Sequence, residues 1–154
     1  MKGKVTILSV LLCLVSAAVC FAADEFTGTW KLNEAKSKIG AGAPKNTTVV
    51  YEPAGDMTKV TVDGVDADGK ATHNEWTGKF DGKPYAVTGD ANSDMRSYKK
   101  VNDRTLTFTA TKADKVTTTG RIEVSADGKS RTVTATGTDA SGKKTTSTAV
   151  YDKQ

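Results

Sequence analysis

The chain has 154 residues, with 22 Lys and Arg against 18 Asp and Glu, one histidine and two cysteines. Both cysteines, Cys13 and Cys20, fall in an apolar leader, so the rest of the chain has no thiol, which excludes disulfides, thiolate metal sites and cysteine nucleophiles there. The formal charge of +4 is scattered, with no basic run longer than the pairs Lys99-Lys100 and Lys143-Lys144, which excludes the one-sided basic face of a nucleic-acid binder.

Residues 1–22 read as an export signal. Lys2 and Lys4 give a positive start, Val5 to Val19 are apolar, and Cys20-Phe21-Ala22 supplies small residues at a cleavage point. The run is shorter than the roughly 20 apolar residues of a membrane span. The expectation is a soluble product, secreted or periplasmic, with residues 23–154 forming a single domain with one core. A lipid anchor on Cys20 is the competing reading. Without Lys2 and Lys4 the formal charge falls to +2, spread over a mixed-charge surface.

From Phe26 onward the apolar residues recur with period two, the signature of strands with one buried face. In the first strand Phe26, Gly28, Trp30 and Leu32 oppose Thr27, Thr29 and Lys31. A helical stretch is expected only over Asn33 to Ile39, capped by Asn33 and ended by Gly40, followed by the loop "GAGAPKN". Further on, "ATHNEWTGKF" places Trp76, Gly78 and Phe80 opposite His73, Glu75 and Thr77. "RTLTFTATK" sets Leu106, Phe108 and Ala110 against threonines, and "RTVTATGT" does the same with Val133 and Ala135. Threonine suits the outer face, since its branched Cβ favours extended backbone and its hydroxyl tolerates water.

Turn signals punctuate these runs at nearly even spacing, among them Pro53-Ala54-Gly55-Asp56, Asp66-Ala67-Asp68-Gly69, Gly89-Asp90-Ala91-Asn92 and Ala126-Asp127-Gly128. About ten strands result. A long antiparallel meander leaves exposed edges unless it closes. The predicted fold is therefore all-β, an antiparallel up-and-down meander of about ten strands closed into a barrel, with a two-sheet sandwich as the alternative. "VTVDGVDADGK" (Val60 to Lys70) echoes "VTATGTDASGK" (Val133 to Lys143), as expected of a half-barrel duplication or of a reused hairpin.

The opening strand "EFTGTWKL" resembles the first strand of the intracellular fatty-acid-binding proteins, and its Gly28-x-Trp30 is also the lipocalin signature. "TSTAVYDK" resembles the last fatty-acid-binding-protein strand, Thr-Arg-x-Tyr-Glu-Lys. Both families are calycins. The resemblance implies a calycin-like barrel in which Trp30 plugs the floor and Gly28 admits a close neighbour. It also implies a two-helix lid, for which the residues between Asn33 and Asn46 are too few, and a carboxylate-binding arginine at the position of Ala149. That arginine is missing here, although the family's tyrosine is matched by Tyr151.

Arg96 and Arg121 are the remaining candidates for such a role, and their alternation with Met95 and Ile122 places both on the solvent side. His73, the sole histidine, reads as solvent-facing. Asp66, Asp68, Gly69 and Glu75 match part of a calcium loop, but Gly64 stands where the first acid is required, so a hairpin turn is expected. The aromatic residues Tyr51, Trp76, Phe80, Tyr85, Phe108 and Tyr151 are the candidate ligand-binding set, able either to line a cavity or to fill it.

These features lead to an exported, non-enzymatic, monomeric barrel that binds a small hydrophobic or amphipathic ligand, without cofactor, metal or nucleic acid. A ligand-free protein-interaction module, such as a protease inhibitor or envelope-associated domain, is the alternative.

Overall fold

The computed structural model describes residues 24–138 and 142–154. The leader, both cysteines and residues 139–141 of the second echo segment lie outside the described residues. The described chain forms ten strands: β1 (Gly28–Leu32), β2 (Lys45–Ala54), β3 (Met57–Val65), β4 (Ala71–Gly78), β5 (Tyr85–Thr88), β6 (Met95–Asn102), β7 (Thr105–Lys112), β8 (Lys115–Val124), β9 (Ser130–Thr138) and β10 (Lys144–Lys153). Each pairs antiparallel with its chain neighbours, and β1 pairs with β10 to close the barrel. Closure is registered by Trp30 opposite Lys153 and Leu32 opposite Tyr151. Among the described residues no helix is long and apolar enough to cross a membrane.

The expected helix is only a single 3₁₀ turn, Glu34–Lys36. Asn33 caps it as foreseen, its side chain accepting from the Lys36 N–H at 3.2 Å. The turn stops early because β10 captures the chain: Ser37 Oγ accepts from the Val150 N–H at 2.9 Å, and Lys38 exchanges backbone hydrogen bonds with Thr148.

Alternation does the packing. Phe26, Trp30, Tyr51, Val60, Trp76 and Leu106 are almost fully buried, each contributing on the order of 2–3 kcal/mol by leaving water. Trp30 seals the floor, and its indole N–H is satisfied by the Phe26 carbonyl at 2.8 Å. Gly28 has a φ of +122°, and a Cβ there would come within 3.0 Å of Lys153 Cε. The glycine thus lets Lys153 lie over the outer side of Trp30, with its Nζ 5.1 Å from the ring centroid.

The weakest part of the wall is β5, which shares two register pairs with each neighbour. Segment 80–82 supplements it. Gly82 donates to the Tyr98 carbonyl, Lys100 donates to that of Phe80, and the Trp76 indole N–H reaches the Arg96 carbonyl at 2.8 Å.

Candidate functional site

An up-and-down barrel puts alternate turns at opposite ends. At the end holding Phe26 and segment 79–84, aromatic rings fill the interior. Phe80 stacks on Trp76 at 6.2 Å and 8°, while Phe26 and Tyr98 meet Phe80 edge-on at 6.0 and 5.9 Å. Tyr85 packs edge-on against Trp76 at 5.8 Å and sends its hydroxyl to Asp81 Oδ2. Toward the other end the side chains shrink to Ala110, Ala135 and Ala149, and a cavity of about 570 Å³ is left, bordered by the turns around Asp66 and Asp90.

This division separates the predicted aromatic set. Tyr51, Phe108 and Tyr151 line the cavity, together with Tyr98; Trp76, Phe80 and Tyr85 belong to the plug beneath and beside it and are not part of the lining. Phe108 can lie flat against the wall because Gly120 stands opposite it, and a Cβ at Gly120 would collide with the Phe108 ring. Trp30 and Gly28 are floor residues, as their role in closure requires.

Two arginines enter this interior. Arg96 is not on the solvent side: its side chain is only 11% exposed and it lines the cavity. The inward parity of β6 is set by Tyr98, 5% exposed, so Arg96 points in with it, and Met95, the apolar residue taken as the guide, does not belong to the core. Arg96 is compensated. Its Nη2 donates to Asp90 Oδ2 at 3.0 Å and to Asn74 Oδ1 at 3.3 Å. Asp90 is itself fixed, accepting from the Asn92 N–H at 2.8 Å and from Ser93 Oγ at 2.5 Å. Arg121 does lie outside, paired with Glu123 at 3.0 Å.

Arg131 is the second inward arginine, and only 2% of it is exposed. Its guanidinium carbon sits 4.9 Å from the ring centroids of Trp30, Tyr51 and Tyr151. Such cation–π contacts contribute about 0.5–2 kcal/mol each. The Tyr51 hydroxyl interacts with the guanidinium, but the ring faces themselves offer no acceptor lone pairs. Nε and Nη1 have no hydrogen-bond partner, and no ion pair among the described residues includes Arg131. An orphaned buried donor costs about 1–3 kcal/mol, more when charged. The nearby phenols do not offset the charge by ionising. Burial raises the pKa of Tyr51 well above the ordinary tyrosine value, outweighing the lowering effect of Arg131, and burial likewise raises that of Tyr151.

Sequence reasoning passed over Arg131 and Asn74 and put Arg96 on the wrong face. The signal that finds them is parity: Arg131 shares a face with Val133 and Ala135, Arg96 with Tyr98, and Asn74 with Trp76. His73 is solvent-facing as expected, its side chain 59% exposed and Nδ1 2.7 Å from Asp63 Oδ1. The partial calcium loop is a hairpin turn whose leading carboxylate is already occupied, since Asp66 Oδ1 accepts from the backbone N–H groups of Asp68 and Lys70.

No protein-family model matches this chain, and no curated protein matches it. Among solved structures, that of EF1p2_mFAP2b bound to DFHBI is similar over 86% of this chain and 97% of its own, at 12% identity and a TM-score of 0.51. That of mFAP1, a redesigned β-barrel bound to DFHBI, aligns over 86% of this chain and 98% of its own, at 15% identity and a TM-score of 0.48. At 12% identity the likeness to EF1p2_mFAP2b is one of fold alone.

Proposed function

We propose that this chain is a non-enzymatic, calycin-like barrel that carries or buffers a small amphipathic molecule outside the cytoplasm. The observation that carries the reading is the unfilled interior. About 570 Å³ lies within the roughly 300–1,000 Å³ of small-molecule sites, and its walls mix Phe108, Val49, Val133 and Ile122 with a few polar groups, the composition such sites have. A barrel of this architecture, EF1p2_mFAP2b, holds DFHBI, which supports the use of the interior for a small ligand. The alternative of a ligand-free interaction module is best served by a filled interior, and a cavity of this size works against it.

Export rests on residues 1–22, and N-terminal sequencing of the protein recovered from outside the cytoplasm tests it, with a start near Ala23 expected and an intact leader contradicting it. Ligand carriage is tested by native mass spectrometry of the protein purified from its own source. The expected result is a retained amphipathic mass at one per chain. Protein that carries nothing, and takes up nothing from a total lipid extract, contradicts the reading.

A further inference from the structure

The cavity reading leaves the ligand's polar group open, and Asn74 decides it. Asn74 is the fourth residue of β4 and points inward with Trp76, only 9% of it exposed. Its amide has one acceptor and two donors. The acceptor is used, because Oδ1 takes a hydrogen bond from Arg96 Nη2 at 3.3 Å, and this contact fixes which way the amide faces. Among the described residues nothing accepts from Nδ2. Nor is Nδ2 sealed, since the sealed side-chain polar atoms without a partner are Nε and Nη1 of Arg131. Nδ2 is therefore turned to the open space of the cavity, which Asn74 lines.

The corner around it is built and electrically neutral. β4 and β5 pair at Glu75–Thr88 and Trp76–Val87, and beyond those pairs the chain packs on β4 through Gly89, whose φ is +80° and where a Cβ would strike the His73 carbonyl. That close approach puts Asp90 where Arg96 Nη2 reaches it and Asn74 together. Asp90 and Arg96 cancel at 3.0 Å, with Asp90 held by Asn92 and Ser93 and the Tyr98 hydroxyl interacting with Arg96. The charge of Arg131 lies on β9, five strands away in either direction round the barrel and so on the opposite wall.

We infer that the cavity selects amphipathic ligands whose polar end is an uncharged carbonyl-type acceptor, held by the Nδ2 donors of Asn74 in the corner it forms with Asp90 and Arg96, with the apolar body lying across toward Phe108 and Ile122. This rests on the reading of the cavity as a ligand site. A ketone, ester or amide oxygen pairs a donor that a buried residue otherwise leaves unmatched, and one such group is enough to orient a ligand in an apolar pocket. An alkyl end leaves the amide unpaired. A carboxylate accepts as well, but it arrives beside Asp90, which has already used Arg96, and like charges repel.

Three probes with one skeleton separate these cases: 6-propionyl-2-dimethylaminonaphthalene, its 6-propyl analogue, and 6-dimethylamino-2-naphthoate. The folded wild type should bind the ketone at one site, about fivefold or more tighter than the naphthoate. Asn74→Leu should lower the ketone-to-propyl affinity ratio by about fivefold or more, the scale of one buried hydrogen bond, and leave the propyl probe bound. The infrared carbonyl stretch of the bound ketone should rise in the variant as the hydrogen bond is lost, a change that a merely structural asparagine does not produce. Should Asn74→Leu fail to fold, Asn74→Asp, which keeps the shape but removes the donors, serves the same comparison. An unchanged ratio or an unchanged stretch in the folded variant overturns the Asn74 assignment while leaving the cavity reading intact. Naphthoate binding equal to or tighter than that of the ketone overturns the uncharged class. Binding of none of the three removes the cavity reading and this inference together.

Discussion

Arg131 and Tyr151 are register partners across β9 and β10, and the guanidinium carbon of Arg131 lies 4.9 Å from the centre of the Tyr151 ring. Ala149, two residues earlier on β10, faces Val133. A cation thus reaches the interior from β9, beside Tyr151. Its aromatic surroundings and two donors without hydrogen-bond partners leave two roles to be told apart, a binding group and a structural brace.

Replacing Arg131 with Met checks that distinction through stability. A guanidinium present only to brace the floor is worth its three cation–π contacts, and its loss lowers the melting temperature. A guanidinium kept for a ligand carries an uncompensated desolvation cost, which an apolar side chain of similar length removes. The ligand-free Arg131→Met protein is expected to be more stable than wild type by about 1 kcal/mol in denaturant titration, a trade of stability for function. A clear loss of stability points to a structural brace.

Alkaline pH is expected to weaken the fold through Tyr51. Burial raises the folded-state pKa of this phenol above its ordinary value of 10.0, with the negative potential of Tyr98 adding to the effect and Arg131 opposing it. In the unfolded chain the phenol ionises near the ordinary value. The neutral buried form thus contributes its full stability below about pH 10 and loses it progressively as pH rises further. Tyrosinate absorbance during a pH titration should show Tyr51 silent until the barrel unfolds, and Tyr51→Phe should flatten the stability decline above pH 10. A Tyr51→Phe protein with the wild-type decline contradicts this assignment.

The two-residue link between β7 and β8, Ala113-Asp114, has φ values of +48° and +62°. Both positions are left-handed, the geometry of a type I′ hairpin turn, where Asn-Gly is preferred and alanine is strained. The double substitution Ala113→Asn, Asp114→Gly retains the backbone N–H that Asp94 Oδ2 accepts at 2.9 Å. It is expected to stabilise the protein by about 1 kcal/mol in thermal or urea unfolding. An unchanged midpoint contradicts the strain.

Much of this fold is legible from alternation alone, because a barrel with one buried face imposes a strict parity and any one-residue slip turns a whole strand inside out. Trp30, Tyr51, Trp76, Leu106 and Tyr151 all fall on the expected side. What parity leaves out is depth along the barrel axis. Trp76 and Phe108 both point inward, yet one joins the plug and the other the cavity wall, a difference set by how far each strand is staggered against its neighbours. Polarity misled at Arg96 for a related reason. A charged residue is placed outside when the interior is assumed to be packed hydrocarbon, whereas a cavity wall accepts it once Asp90 and Asn74 supply partners from a turn and an adjacent strand. Those partners are distant in sequence or lie in a turn, so no local pattern announces them.

The open interior can be tested by filling it. Ala149 is 9% exposed and its side chain borders the cavity, so Ala149→Trp directs an indole into the space a ligand would take without altering the outer surface. Calorimetric titration of N-phenyl-1-naphthylamine should give one saturable site in the wild type and none in a folded Ala149→Trp protein. Equal uptake by the two proteins would mean that the probe binds elsewhere and that the barrel interior is not the site.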